Sequence, residues 1–314
     1  MKKPARKKGA TSKLGFDFNK AAQKALKDHP QLKNKVLFFD AKNDNWKTTA
    51  EFLLQREASD DDVEDLSHAV REARKLKSSF CQALELDNGQ SLTVMVFHSD
   101  KHPLFGTASR DTDDACTFDH ELAHTLTPGL EGTPSENAAD AYAVLRHLQR
   151  GGDKEDIDYC GWKRAAIFLK TGITSHLTTF SVDEILCDSE TADFMSLSPK
   201  QTLAIARDYA KKNTPTPQKL KSLSKTFASL KKLPPQQAFR ELGKITLKAD
   251  AGSDAFYLGA RVLTGALQEG GITLDGRSIV LKGKEWDKLK QALESKIATL
   301  PANHTLRRLG SRAP

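Results

Sequence analysis

The sequence has no long apolar run and few cysteines, and both absences limit what the protein can be. Nowhere do 18 consecutive apolar residues occur, whereas a membrane-spanning helix needs about 20. The four cysteines form neither a C-x-x-C pair nor a dense framework, which is typical of free thiols in a reducing compartment. No apolar stretch follows the basic N-terminus, as it would in a secretory signal peptide. We therefore expect no membrane span and a cytoplasmic location, with export as an effector as the open alternative.

Aromatic residues are also scarce, at 7% of the chain, against 28% charged residues and a net charge of +7. The basic residues gather in the N-terminal tail, in residues 211–232 and near the C-terminus, without aromatic side chains between them on which bases could stack. The charge favours an acidic partner, and the basic tails are the one feature that favours nucleic acid. We expect residues 1–15 to be a disordered basic tail.

One motif in the chain is typical of a metal-binding site. His120, Glu121 and His124 form the pattern H-E-x-x-H. On a helix, residues four apart share a face, so both imidazoles can point at one ion. Glu121 follows the first histidine, where a carboxylate can deprotonate an attacking water. A catalytic zinc takes three protein ligands and leaves one position for water, so a third ligand is needed.

Two acidic residues one helical turn apart, Glu136 and Asp140, lie just downstream of this motif. The intervening residues 127–134 contain two prolines and two glycines, which is typical of a loop. A short loop between two helices favours antiparallel packing. This register brings Glu136 beside His124, where it can complete the site. It brings Asp140 beside His120, where it can accept the free ring N–H.

A competing interpretation makes Glu136 part of a helix start. Thr133 at the N-cap, Pro134 at the first helical position and Glu136 at the third match a capping box. In that case Glu136 is a helix cap and not a metal ligand. The sequence alone leaves both interpretations open.

Together, H-E-L-A-H and E-N-A-A-D resemble the gluzincin branch of the zincin metallopeptidases, in which a Glu from an E-x-x-x-D helix is the third zinc ligand. The resemblance implies zinc (Zn2+) as the cofactor and a function for five residues: the ligands His120, His124 and Glu136, the general base Glu121, and Asp140 as the residue that orients a ligand.

The sequence departs from this family in one respect. The gap from His124 to Glu136 is 12 residues, shorter than in the best-known members, so that Asp140 and His147 stay open as third ligands. The metzincin pattern is not matched, because Leu130 stands at the position of its third histidine.

One further histidine, His176, lies in a polar loop just ahead of a helix that a capping box at residues 181–184 is predicted to begin. From there it can reach the metal cleft and stabilise the oxyanion of a tetrahedral intermediate. Tyr142 and Tyr159 are alternatives for the same role. The other interpretation of His176 is an ordinary surface residue.

Periodicity predicts the elements around the motif. Residues 92–98 form the best strand, being apolar and β-branched. By the resemblance this strand lies along the substrate cleft, where an extended peptide can pair with it, and residues 104–108 form a cleft wall. Apolar residues at helical spacing predict one long helix over 60–84. Residues 272–281 are predicted to be a hairpin that turns at Asp275-Gly276.

The sequence thus predicts a predominantly helical α+β fold. Residues 16–197 are expected to form a zincin-like metallopeptidase domain with a small sheet and an active-site helix pair. Residues 198–314 are expected to form a helical region, either separate or packed on the same core. The expected function is zinc-dependent hydrolysis of peptide bonds in a peptide or protein substrate. A zincin-fold regulatory or binding protein with little turnover and a non-peptidase metal hydrolase are the alternatives.

Overall fold

A computed structural model describes residues 16–99, 109–274 and 277–311. The predicted basic tail, the predicted cleft wall at 104–108 and the Asp275-Gly276 turn lie outside these residues. The described chain is mostly helical, with one three-stranded sheet and one two-stranded hairpin, so the predicted α+β class is confirmed. None of the helices in the described ranges is long and apolar enough to span a membrane.

The first part of the chain builds the sheet and two helices that cover one of its faces. Its elements are α1 (Phe18–Asp28), β1 (Val36–Asp40), α2 (Trp46–Gln55), α3 (Asp60–Leu76), β2 (Phe80–Glu85) and β3 (Ser91–Phe97). β3 lies in the centre, parallel to β1 and antiparallel to β2. Because both sides of β3 are already paired, the expectation that a peptide pairs with this strand is wrong. The edges of the sheet are β1 and β2.

The predicted long helix over 60–84 is also wrong in its second half. The helix ends at Leu76 because Lys77 adopts a left-handed conformation with φ 54°, and the chain then enters β2. Phe80 and Leu84 pack in the same core as α3. A spacing of four residues keeps side chains on one side of a strand as well as on one face of a helix, so periodicity alone did not separate the two.

The middle of the chain forms a helical layer on the other face of the sheet. It consists of α4 (Arg110–Leu126), α5 (Gly132–Gln149), α6 (Lys154–Thr171), α7 (Thr179–Asp188) and α8 (Pro199–Asn213). Met95 of β3 shares a core with Phe118 and Leu122 of α4, whereas Val94 and Val96 face α2 and α3. α5 contacts α4, α7 and α8. Its many small residues allow this close packing, since five of its buried positions are Ala or Ser: Ser135, Ala138, Ala139, Ala141 and Ala143.

The remaining elements build a second core: α9 (Pro217–Thr226), α10 (Pro235–Lys248), α11 (Asp254–Gln268), β4 (Gly271–Leu274), β5 (Arg277–Val280), α12 (Lys284–Ala298) and α13 (Thr305–Gly310). α6 connects the two cores, because Ile157 and Cys160 lie in the first and Phe168 and Leu169 in the second. α8 packs with its Ala206 in the first core. The start of the C-terminal region therefore packs on the core of residues 16–197.

Candidate metal centre

Helices α4 and α5 form an antiparallel pair joined by residues 127–131. Three facing contacts run in opposite order along the two helices: Cys116 with His147, His120 with Asp140, and His124 with Ser135. Gly129 and Gly132 allow the tight connection, with φ of 87° and 57°, values that glycine adopts at little cost. This is the register that the sequence predicts, and it follows from the short loop.

Three potential ligand atoms converge where the helices meet. Nε2 of His120 lies 3.2 Å from Nε2 of His124, and each of these nitrogens lies 3.6 Å from an oxygen of Glu136. In a tetrahedral zinc site with bonds of 2.0–2.1 Å, neighbouring ligand atoms are about 3.4 Å apart. Among the described residues, this is the one group of His, Cys, Asp and Glu side chains close enough to share an ion. The three side chains are therefore close enough to share a zinc ion, with each imidazole 3.6 Å from a different oxygen of Glu136.

Both imidazoles are oriented by hydrogen bonds on the opposite side of the ring. Nδ1 of His120 lies 2.8 Å from Oδ1 of Asp140, and Nδ1 of His124 lies 2.9 Å from Oγ of Ser135. When each Nδ1 carries the proton, Nε2 presents a lone pair to the shared point. Ser135 was missed in the sequence, although the antiparallel register that brings Glu136 to His124 also brings its neighbour there.

Asp140 is the centre of a buried network. Its carboxylate accepts two bonds from Arg164, at 2.6 and 2.7 Å, and one from Thr178 at 2.5 Å. Burial by itself would raise the pKa of Asp140, but the Arg164 charge and the bond to His120 outweigh it and hold the pKa well below its usual range. The carboxylate is therefore ionised and holds His120 in place. No sequence signal points to Arg164, which comes from α6.

Glu136 also contacts His176, whose Nδ1 lies 3.0 Å from Oε2, the carboxylate oxygen that lies 3.6 Å from Nε2 of His120. Burial by itself would raise the pKa of Glu136, but His176 and His120 lower it to about 2. The loop that carries His176 is tied to α5, because Thr133 donates a hydrogen bond to the carbonyl of Thr174 at 3.1 Å. The structure thus brings His176 to the cluster, while 41% of its side chain remains exposed.

The competing interpretation of Glu136 as a helix cap is wrong. α5 begins at Gly132, its N-cap is Glu131, and that residue makes no side-chain capping bond. Thr133 lies inside the helix and bonds to the His176 loop instead. Glu136 therefore lies in the second turn of α5, past the capping positions.

The other candidates for the third ligand lie elsewhere. The oxygens of Asp140 are taken up by the network around Arg164. His147 is buried one rung further along the helix pair, with Nδ1 3.6 Å from Sγ of Cys116 and Nε2 3.1 Å from the carbonyl of Asp153. Neither Asp140 nor His147 belongs to the group of described side chains that is close enough to share an ion.

The predicted capping box at residues 181–184 is wrong as well. α7 begins at Thr179, and the hydroxyl of Ser181 donates to Oδ1 of Asn137 at 2.7 Å. Both of these side chains are buried, and a buried amide needs a partner. This contact ties α7 to α5 at the residue that follows Glu136.

The pKa values of the two histidines are shifted in opposite directions. Burial by itself would lower the pKa of His120, but Asp140, Glu136 and Glu121 raise it to about 9. Burial and the neighbouring His120 lower the pKa of His124 to about 4. The cluster thus favours one added positive charge, which is the electrostatic condition for holding a cation.

Glu121 is buried on α4, and its carboxylate lies close enough to His120 to help raise the pKa of that ring. Its backbone carbonyl accepts a hydrogen bond from Sγ of Cys81 at 3.1 Å. Cys81 belongs to β2, so an edge strand runs beside the motif helix. This relationship was missed because β2 was predicted as helix.

The two tyrosines considered for oxyanion stabilisation have other contacts. The hydroxyl of Tyr142 lies 3.1 Å from Nε2 of the buried His29. The ring of Tyr159 packs on Trp162 with centroids 5.8 Å apart. His176 is the one of the three that contacts the cluster.

The chain matches no protein-family model, no curated protein and no solved structure. The likeness to zincins therefore rests on the motif residues and on the geometry around them.

Proposed function

We propose that the protein is a zinc-dependent metallopeptidase. The observation that carries this proposal is the convergence of Nε2 of His120, Nε2 of His124 and the Glu136 carboxylate, with both Nδ1 atoms bonded elsewhere. Two imidazoles and one carboxylate are a typical set of protein ligands for catalytic zinc. Bound there, zinc would polarise a substrate carbonyl and lower the pKa of the attacking water.

In this proposal, the residues around the metal have separate roles in hydrolysis. Glu121 accepts a proton from the attacking water and delivers it to the leaving amine. Asp140 keeps His120 in its orientation and is itself held by Arg164. His176 fixes Glu136 through Nδ1, and its exposed ring is accessible to a substrate, whose developing oxyanion an N–H donor there stabilises.

Substrate binding is expected at the edge of the sheet. β2 is an edge strand, and its Cys81 contacts the backbone of Glu121. An extended peptide that adds to β2 by strand pairing would therefore lie beside the general base. This mode favours a peptide or protein substrate over a small ester or amide.

A second candidate is a regulatory or binding protein in which the metal holds the helix pair together without turnover. The observation in its favour is the low exposure of the ligand side chains, which is 12% for His120, 19% for His124 and 18% for Glu136. A catalytic metal needs an open position, so turnover has to be measured directly.

The test compares the wild type with Glu121→Gln, using zinc content and cleavage of a fluorogenic peptide library as the two readouts. We expect the variant to bind zinc in the same ratio and to cleave about 100- to 10,000-fold more slowly, because general acid–base catalysis is lost. Glu131→Gln, an exposed neighbour without a capping bond, is the matched control and should cleave normally.

The other outcomes would change either the role of Glu121 or the proposed function. Cleavage by Glu121→Gln at the wild-type rate would disprove its role as the base. A wild type that binds zinc and cleaves no peptide but hydrolyses esters would be a non-peptidase hydrolase. A wild type that binds zinc and turns over neither substrate would be the regulatory protein.

A further inference from the structure

A groove of about 1290 Å³ lies beside the C-terminal end of α4. Its walls come from the end of α1, the 3₁₀ turn Pro30–Leu32, the segments that lead into β1 and β3, and the start of α8. Thr125 and Leu126 line it, directly after His124. The three candidate zinc ligands do not line it, so this is a separate surface that begins one residue past the second ligand.

The groove is strongly basic. Five of the residues that line it carry a positive charge: Lys33, Lys35, Arg56, Lys200 and Arg207. None of these five forms an ion pair within the part of the chain that the structure describes. Such an unbalanced cluster attracts an anionic ligand and raises its rate of association.

Among the described residues that line the groove, one is acidic, and it does not balance these charges. The carboxylate of Asp28 lies 2.8 Å from Nζ of Lys24 and 3.8 Å from Nη2 of Arg146. His29, also in the wall, is bonded to Tyr142, and burial lowers its pKa. The positive charge of the groove is thus left for a ligand.

Two of the cations are held in place by other contacts. Nη2 of Arg207 donates a hydrogen bond to the carbonyl of Leu126 at 2.7 Å, which also caps the end of α4. The guanidinium of Arg56 lies 5.6 Å from the centroid of the Phe52 ring. A side chain that is already ordered loses less entropy when it binds an anion.

The other residues that line the groove favour a polypeptide over a nucleic acid as its ligand. In the described part of the chain, no phenylalanine, tyrosine or tryptophan lines the groove, so these residues offer bases no aromatic ring on which to stack. Apolar side chains alternate with the cations instead, including Leu32, Val36 and Leu203. The volume also exceeds the roughly 300–1,000 Å³ of ordinary small-molecule sites.

We propose that this groove binds an acidic polypeptide segment, in which Asp or Glu side chains contact the five cations and apolar side chains pack on the partly exposed Val36 and Leu203. Because the groove begins next to His124, the segment belongs to the substrate and lies beside the scissile bond. Only this last step rests on the proposed peptidase function. The binding itself depends on the groove alone.

The test measures binding without turnover, by fluorescence anisotropy with the full-length Glu121→Gln protein. The probe is a labelled dodecapeptide in which Asp and Glu alternate with Leu. The matched probe has Asn and Gln at the acidic positions, and a single-stranded oligothymidylate of the same length is the nucleic-acid probe. We expect the acidic peptide to bind at least tenfold more tightly than the other two, with an affinity that falls as salt rises.

Charge reversal separates the groove from the general positive charge of the protein. Lys33→Glu, Lys35→Glu and Lys200→Glu combined should reduce binding at least tenfold. The control reverses Lys221, Lys225 and Lys288, three exposed lysines outside the groove, and so changes the net charge equally. We expect binding by this control to match that of the parent protein.

Three outcomes would overturn the proposal. These are equal loss in both triple variants, equal affinity for the acidic and amide peptides, and tighter binding of the oligonucleotide. Each of these outcomes is independent of zinc and of cleavage. The test therefore distinguishes failure of the groove proposal from failure of the peptidase proposal. If the acidic peptide binds as expected to a protein without peptidase activity, the groove stands and the segment is a partner's and not a substrate's.

Discussion

The imidazole of His120 and the carboxylate of Asp140 lie 2.8 Å apart across the helix pair. The same carboxylate binds Arg164 from α6 and Thr178 at the start of α7. The orientation of the His120 ring therefore depends on residues from α4, α5 and α6 and on Thr178 at the start of α7. A ligand held this firmly loses little freedom when it binds a metal, which favours binding.

Asp140→Asn tests this network. The amide is a poorer acceptor for the His120 N–H and leaves the buried Arg164 without a counter-ion. We expect zinc affinity to fall about 10- to 100-fold and the free energy of unfolding to fall by about 3–5 kcal/mol. Chelator competition and urea unfolding measure the two effects.

The double variant Asp140→Asn with Arg164→Gln is the control for the buried charge. It should recover part of the lost stability without recovering zinc affinity, because the unpaired guanidinium is gone but His120 is still poorly held. If the single variant binds zinc like the wild type, then Asp140 does not orient the ligand.

Glu136→Ala tests the third ligand. We expect zinc affinity to fall by more than about 100-fold, beyond the usual effect of a supporting residue, because a donor atom is lost. Glu131→Ala, five residues earlier on the same helix start, should bind zinc normally. Metal analysis after dialysis against a chelator gives the answer, and equal zinc in both variants would remove Glu136 from the site.

Gly161→Ala tests how the second core is attached. A methyl group on Gly161 would lie 2.1 Å from Oδ1 of Asp183, a buried carboxylate that binds Arg261 and Tyr257 of α11. Alanine favours a helix over glycine by up to about 1 kcal/mol. The clash with this buried pair opposes that gain, and we expect a net loss of about 1–3 kcal/mol.

Gly252→Ala is the matched substitution, since a methyl group there meets no atom within 4 Å. Its effect on unfolding should stay within about 0.5 kcal/mol. Thermal and urea unfolding compare the two. A Gly161→Ala protein as stable as the wild type would mean that the Asp183 contacts shift at no cost.

Alkaline pH is expected to unfold the protein through its tyrosines. Burial raises the pKa of Tyr142, Tyr159, Tyr209 and Tyr257, which are all four tyrosines of the chain. The unfolded chain loses these protons near pH 10, whereas the folded chain retains them. The contribution of the tyrosines to the free energy of unfolding is therefore fully present below about pH 10 and is lost as the pH rises above it.

Phenolate absorbance and far-ultraviolet circular dichroism, followed together during a base titration, test this expectation. The two signals should change in one transition, because the phenols ionise when the chain unfolds. Tyr209→Phe, which removes a phenol bonded to Asp188 at 2.7 Å, should reduce the slope of stability against pH above 10. Ionisation of all four phenols before any loss of helix would contradict the prediction.

Much of the candidate site could be predicted from the sequence because its residues lie close together along the chain. The spacing of His120 and His124 on one helix and the short loop to Glu136 and Asp140 leave one antiparallel register. Such features depend on helical geometry and turn chemistry, which operate over a few residues.

The tertiary structure alone decided the rest. β2 became a strand because β3 offered it a hydrogen-bonding edge, against a spacing that fitted a helix equally well. Arg164 reaches Asp140, and His176 reaches Glu136, from helices and loops whose docking no local spacing encodes. The five cations of the groove lie on the segment after α1, at the end of α2 and on α8, between residues 33 and 207 of the chain. They meet only when the folded core brings these segments together.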